Sequence, residues 1–238
     1  METFFAGGLE ASRLCDVVTS PLPVFSLLKG LVGQSEWSQY FPDCAGTSQS
    51  PVDVITTQTK YDPNLTPLTP LGYSQHGNKP FTMYNSGHTV CTKLPVSPPR
   101  PSFNPSASLF LMSANEQTNQ CSWSLQLHVV HYNSELYPNV STAMTQSDGL
   151  AVLGILIVTG EETNAAFNNI LNYLSRIRHA DQKVFIPAFD VQTLLPTDLG
   201  RYYRYNGSLT TPPCYQSVTW TVFNERVQIS KAQVELRH

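Results

Sequence analysis

Charge is scarce in this 238-residue sequence: Asp, Glu, Lys and Arg together make up 13% of it, and the formal net charge is −3. No basic run occurs, so the electrostatic footprint that binding to nucleic-acid phosphates requires is missing, and nucleic acid is excluded as a partner. Long apolar runs are also missing. Val24 to Val32 is interrupted by Ser26, Lys29 and Gly30 and falls short of the roughly 20 residues that cross a bilayer, so no transmembrane span is expected. Glu2, Glu10, Arg13 and Asp16 break up the first thirty positions, which leaves no signal-peptide pattern of basic start and apolar run. There is no internal repeat. Against these absences stand 41% hydrophobic residues, 18 prolines and 13 glycines. That is the composition of a globular, loop-rich β protein with one large domain and a real core.

The segment Leu125-Gln126-Leu127-His128-Val129-Val130-His131-Tyr132-Asn133 organises the rest. Its β-branched and aromatic residues, without Gly or Pro, predict a strand. On a strand Gln126, His128, Val130 and Tyr132 share one face, while Leu127, Val129 and His131 share the other. His128 and His131 therefore cannot hold one metal ion together. One of them faces a possible site and the other is buried structure.

Phe81 to Asn85 and Thr89 to Leu94 read as strands around the turn Asn85-Ser86-Gly87-His88, which leaves His88 accessible to solvent. Ser48 to Val54 is a polar turn leading into an extended apolar alternation. Residues 95–122 begin with four prolines in seven positions and continue rich in Ser, Asn and Gln, with one apolar patch, Leu109 to Met112. A loop of that length is unusual in a compact domain. Leu150 to Val158 predicts a strand buried on both faces, and Ser217 to Phe223 another. Asn164 to His179 carries apolar residues at helical spacing, with Glu161 and Glu162 before it and Arg176, Arg178 and His179 at its end. Ser230 to Gln233 has the form of a capping box that opens a helix.

Five blocks in order, Ser48-Gln49-Ser50-Pro51-Val52-Asp53, Asn85-Ser86-Gly87-His88, Leu127-His128-Val129-Val130-His131, Gly149-Leu150-Ala151-Val152-Leu153-Gly154 and Tyr205 to Cys214, resemble the α-carbonic anhydrases. The likeness is greatest to the extracellular, membrane-associated branch. It covers residues 30–95 and 124–238, which sets the expected domain at 30–238 with 1–29 unassigned, 95–122 divergent and the final strands missing. The fold implied is mostly β, α+β in class: a twisted, mainly antiparallel central sheet with peripheral helices, incomplete at both ends and in the middle. The activity implied is reversible hydration of CO2 to bicarbonate and a proton. Zn2+ held by three histidines supplies hydroxide, the chemistry for which this family is itself the standard example.

The resemblance also assigns residues. His128 matches a zinc ligand, and His131 a structural histidine. His88 matches the proton shuttle, and Thr210 the threonine that aims the hydroxide, with Glu116 as the only candidate for its glutamate partner. Val130, Val152, Leu209 and Trp220 match the apolar wall beside which CO2 rests, and Thr211 the neighbouring pocket threonine. Gln126 stands where a glutamate orients the ligand histidine; it can accept a hydrogen bond but brings no charge. Cys44 and Cys214 match a disulfide pair. Asn64, Asn139 and Asn206 head glycosylation sequons.

The chain departs from the family in one decisive respect: it contains no His-x-His pair. Its histidines are His76, His88, His128, His131, His179 and His238, and one imidazole does not make a tetrahedral zinc site. Cys91 and Cys121 lack supporting spacing as substitutes. The departures come in blocks, as in an alternative or incomplete transcript product or a faulty gene prediction, and the missing strands are expected to expose sheet edges. Weak or absent activity is therefore expected. The alternative class is an acatalytic carbonic-anhydrase-related binding or adhesion module.

Overall fold

The computed structural model describes residues 4–6, 34–74, 78–87, 89–94, 108–112 and 125–236. Its frame is a sheet whose strands, in chain order, are β1 (Phe4–Ala6), β2 (Lys60–Tyr61), β3 (Phe81–Asn85), β4 (Val90–Lys93), β5 (Ser108–Met112), β6 (Leu125–Tyr132), β7 (Leu150–Gly160), β8 (Lys183–Ile186), β9 (Tyr202–Gly207), β10 (Val218–Phe223) and β11 (Val227–Ser230). Short helices α1 (Trp37–Tyr40), α2 (Val140–Ala143), α3 (Ala165–Leu171) and α4 (Lys231–Glu235) lie among the connections. The sheet runs β2-β1-β9-β10-β7-β6-β5-β4-β3-β8, with β11 also on β7. Its pairs are antiparallel except β1 with β2 and β7 with β10 and β11. The mostly-β, mainly antiparallel architecture is the one the sequence implies.

β7 is the hub. β6 covers one side of it, from Leu125 opposite Ile157 to Tyr132 opposite Leu150. On the other side β10 pairs with Leu150–Gly154 and β11 with Ile157–Gly160. Alternate residues of β7 feed two cores. Ile155 and Ile157 join Leu127, Val129, Phe81, Phe167 and Phe223 on one face. Val152 and Leu156 join Tyr203, Tyr205, Trp220 and Val222 on the other. An unbroken apolar run has this consequence in a strand: both faces need cover. Leu127, Ile155 and Ile157 retain no exposed surface, and each such side chain contributes roughly 1.5–3 kcal/mol of burial.

Three expectations are corrected. The helix expected over 164–179 stops at Leu171 and gives way to a 3-10 turn, Leu174–Arg176. Asn168, Asn169 and Asn172 are poor helix formers, and the Asn169 side chain donates to the Ala166 carbonyl at 2.9 Å instead of facing solvent. Phe167, Ile170, Leu171, Leu174 and Ile177 are nevertheless all buried. The apolar patch within 95–122 is a strand: β5 pairs with both β4 and β6, so the sheet is continuous there and no central edge is exposed. Pro51 to Val54 forms no strand; Ser50, just before it, is engaged in the contacts with Ser208 described below. The sequence also gave no hint that Phe4–Ala6 would add a strand beside β9. The capping box at Ser230 is present, with Ser230 and Gln233 bonding each other's backbone N–H at 3.3 and 3.1 Å.

Candidate active-site cleft

β6 delivers the alternation read from its sequence. Leu125, Leu127 and Val129 enter one core, while Val130 and Tyr132 pack on the other. Gln126 and His128 lie on that second face, 2% and 5% exposed. The His128 ring Nε2 lies 3.1 Å from Gln126 Oε1. Oε1 only accepts, so Nε2 carries the proton and Nδ1 keeps a lone pair. Burial pulls the His128 pKa down to about 4, so the imidazole is neutral at neutral pH. Gln126 Nε2 is buried and has no hydrogen-bond partner among the described residues.

Around this pair is a narrow cleft lined by Pro51, Gln126, His128, Gly154, Tyr205, Thr210, Trp220 and Val222, among others. The register explains why room remains. His128 is opposite Gly154, and Gly154 is opposite Val222, so the one strand position between them carries no side chain. The Trp220 ring meets His128 edge-on at 4.9 Å and stacks on Tyr205 at 6.3 Å. Its Nε1 donates to the Ser208 carbonyl at 3.0 Å, which fixes the ring. Burial pushes the Tyr205 hydroxyl up to about 12, opposed by its bond with Ser50.

The turn that presents Thr210 is clasped by the Ser48–Pro51 turn. Ser50 N–H donates to Ser208 Oγ at 2.9 Å and Ser208 N–H to Ser50 Oγ at 3.1 Å. Cys44 and Cys214 close the clasp as a disulfide spanning 170 residues of sequence, the pairing the resemblance implies. Two of the five sequence blocks are thus two halves of one structural device.

The expected site residues divide as follows. His128, Gln126, Thr210 and Trp220 line the cleft. Val130, Val152 and Leu209 pack in the adjoining apolar cluster. Thr211 is half-buried in the same turn, where its carbonyl accepts from Cys214 N–H. His88, Glu116 and Cys121 lie outside the described residues. His131 points to the opposite face. Its Nδ1 donates to the Ala151 carbonyl at 3.2 Å, so its Nε2 accepts from Tyr73 O–H at 2.7 Å. It is a structural group, partly exposed where the sequence reading expected a buried one. Tyr205, Pro51 and Gly154 escaped the sequence reading. Their signal was available: Tyr205 lies two residues before Gly207 on a strand that alternates, and Gly154 interrupts an otherwise apolar strand.

Residues 32–237 match the profile of the eukaryotic-type carbonic anhydrases. The chain is 40% identical over 213 residues to carbonic anhydrase 12 of Homo sapiens, an alignment covering 85% of this chain and 60% of that protein. It is 36% identical over 221 residues to carbonic anhydrase 6 of Bos taurus (87% and 69% covered) and 33% identical over 220 residues to carbonic anhydrase 6 of Homo sapiens (87% and 71% covered). It therefore spans about 60–70% of the length of these relatives. Fold and cleft define a mostly antiparallel β-sheet protein with a histidine-bearing cleft; the chain belongs to the eukaryotic-type carbonic anhydrase family.

Carbonic anhydrases are zinc enzymes. The described residues of this chain do not fit that ion: they contain no group of three His, Cys, Asp or Glu side chains able to hold a metal. β5 occupies the position beside β6, and its register sets Phe110 opposite His128, with Ser108 opposite Val130 and Met112 opposite Gln126. Cys91 is on β4, one strand further. The Cys91 thiol is buried and is turned toward the Thr89 carbonyl.

Proposed function

We propose that the reaction for which this fold is built is the reversible hydration of CO2 to bicarbonate and a proton, and that this chain performs it weakly or not at all. The apolar wall beside His128 and the hydroxyl of Thr210 suit a small apolar substrate that becomes an anion. The observation that carries the second half is the register of β5: Phe110, Ser108 and Met112 stand where strand neighbours of His128 would have to supply ligands. A neutral imidazole alone generates no hydroxide at neutral pH.

The test is CO2 hydration followed with a pH indicator, on the full chain supplied with zinc. The expected rate is that of buffer, or a small fraction of the rate of human carbonic anhydrase 12 in the same assay. A comparable rate would overturn the proposal. A second reading, an acatalytic binding module, is favoured by the intact walls of the cleft around a histidine without co-ligands among the described residues. Aryl-sulfonamide binding separates weak zinc-dependent activity, which requires it, from the metal-free module, which excludes it.

An extracellular location is part of the proposal. Its support is the Cys44–Cys214 disulfide, since such bonds persist in oxidising compartments. No helix among the described residues is long and apolar enough to cross a membrane.

A further inference from the structure

Three Asn-x-Ser/Thr sequons occur in the chain, and their surroundings differ. Asn206 lies within β9, one residue before Gly207 and two before Ser208. Ser208 is fully buried, with its hydroxyl engaged by Ser50 N–H and the Leu209 carbonyl. Asn64 is exposed, but its Nδ2 already donates to Asp62 Oδ1 at 3.0 Å. Pro67 also follows Thr66 directly, which confines Thr66 to extended backbone and keeps its hydroxyl from folding back toward the Asn64 amide.

Asn139 has none of these obstacles. Asn139, Val140, Ser141 and Thr142 are all exposed. Asn139 is the N-cap of α2, and only its oxygen is used: Oδ1 accepts from Thr142 N–H at 2.9 Å and from Thr142 Oγ1 at 3.2 Å. Its Nδ2, the atom that a glycan would modify, takes no part in the cap. A glycosylated asparagine retains Oδ1, so modification and capping are compatible. Leu136 and Val140, on the same connection, are 62% and 48% exposed, and a bulky hydrophilic group beside them covers apolar surface.

We propose that Asn139 is an N-glycosylation site and that Asn64 and Asn206 are not used. The inference rests on the secretory reading above. The test expresses the full chain in cultured animal cells behind a cleavable signal peptide. Non-reducing peptide mapping scores the Cys44–Cys214 bond, and peptide-N-glycosidase scores the glycan by mobility shift. One shift is expected, lost in Asn139→Asp, which preserves the capping oxygen, and kept in Ser141→Thr, which preserves the acceptor motif. A disulfide-bonded chain without a shift, or a shift that survives Asn139→Asp, would overturn the site while leaving the secretory reading intact. A secreted chain with neither glycan nor disulfide would overturn both.

Discussion

His128 and Gln126 lie two residues apart on β6 and share one hydrogen bond, Nε2–H to Oε1 at 3.1 Å. The acceptor is neutral, so nothing in the pair offsets the burial that holds His128 at about 4. In Gln126→Glu an ionised carboxylate takes the same position. The His128 pKa, read by NMR titration of its ring protons, is expected to rise by about 1–3 pH units, the usual effect of an opposite charge within 4–6 Å. A value that stays put would show that the carboxyl is protonated and that the pair is governed by burial alone.

Gln233 joins two helix starts. Its Oε1 accepts from Asn164 N–H at 2.9 Å and Ser230 N–H at 3.1 Å, and its Nε2 donates to the Asn164 carbonyl and Asn168 Oδ1, both at 2.7 Å. The side chain is 3% exposed. Gln233→Ala is expected to destabilise the fold by about 2–4 kcal/mol, on the basis of roughly 1 kcal/mol per net hydrogen bond plus unpaired partners. Urea unfolding gives the figure, and a loss below about 0.5 kcal/mol contradicts the bridging role.

The Cys44–Cys214 bond closes a loop of 170 residues and holds the Thr210 turn against the Ser48–Pro51 turn. Cys44→Ser is expected to cost about 2–5 kcal/mol. Proteolysis of the variant should begin near the Tyr205–Cys214 segment. Equal stability with and without reductant contradicts this.

The neutral histidines set an acid limit. Burial lowers the pKa of both His128 and His131, whereas the unfolded chain titrates near 6.5. Below that value the unfolded state binds protons that the folded state refuses, so stability is lost as pH falls from about 6.5 toward 4. For His128 alone the ceiling is about 3 kcal/mol. The folded pKa of Asp198 is also depressed, chiefly by its bond with Arg201, but that loss falls below pH 3.8 and is separable. Urea midpoints measured between pH 7.5 and 4.5 should fall steadily for the metal-free chain, and less steeply in His131→Phe. A flat profile contradicts the assignment of two rings held neutral by the fold.

Much of the cleft was legible because strand alternation is local. The placement of His128 and Gln126 on one face and His131 on the other follows from side-chain direction alone, and β7 shows in its apolar run. The end of α3 was harder: the apolar spacing continues to Ile177, but the helix ends at Leu171 with Asn172 as its C-cap. β5 was harder still. Its partners β4 and β6 are separated from it in sequence by polar segments, and the pairing of Ser108–Met112 with both is a tertiary relationship that no local pattern carries. The clasp of Ser50 with Ser208 is a contact over 158 residues, beyond the reach of any local pattern.

The central claim is that this member of a zinc-enzyme family offers, among its described residues, one ligand histidine where three are needed. The direct measurement is zinc per folded chain, by elemental analysis of purified monomer after equilibration with zinc at neutral pH and removal of loosely bound metal. The account predicts far less than one zinc per chain in a protein that unfolds cooperatively. A zinc content of one, lost in His128→Ala, would contradict it and show that ligands outside the described residues complete the centre.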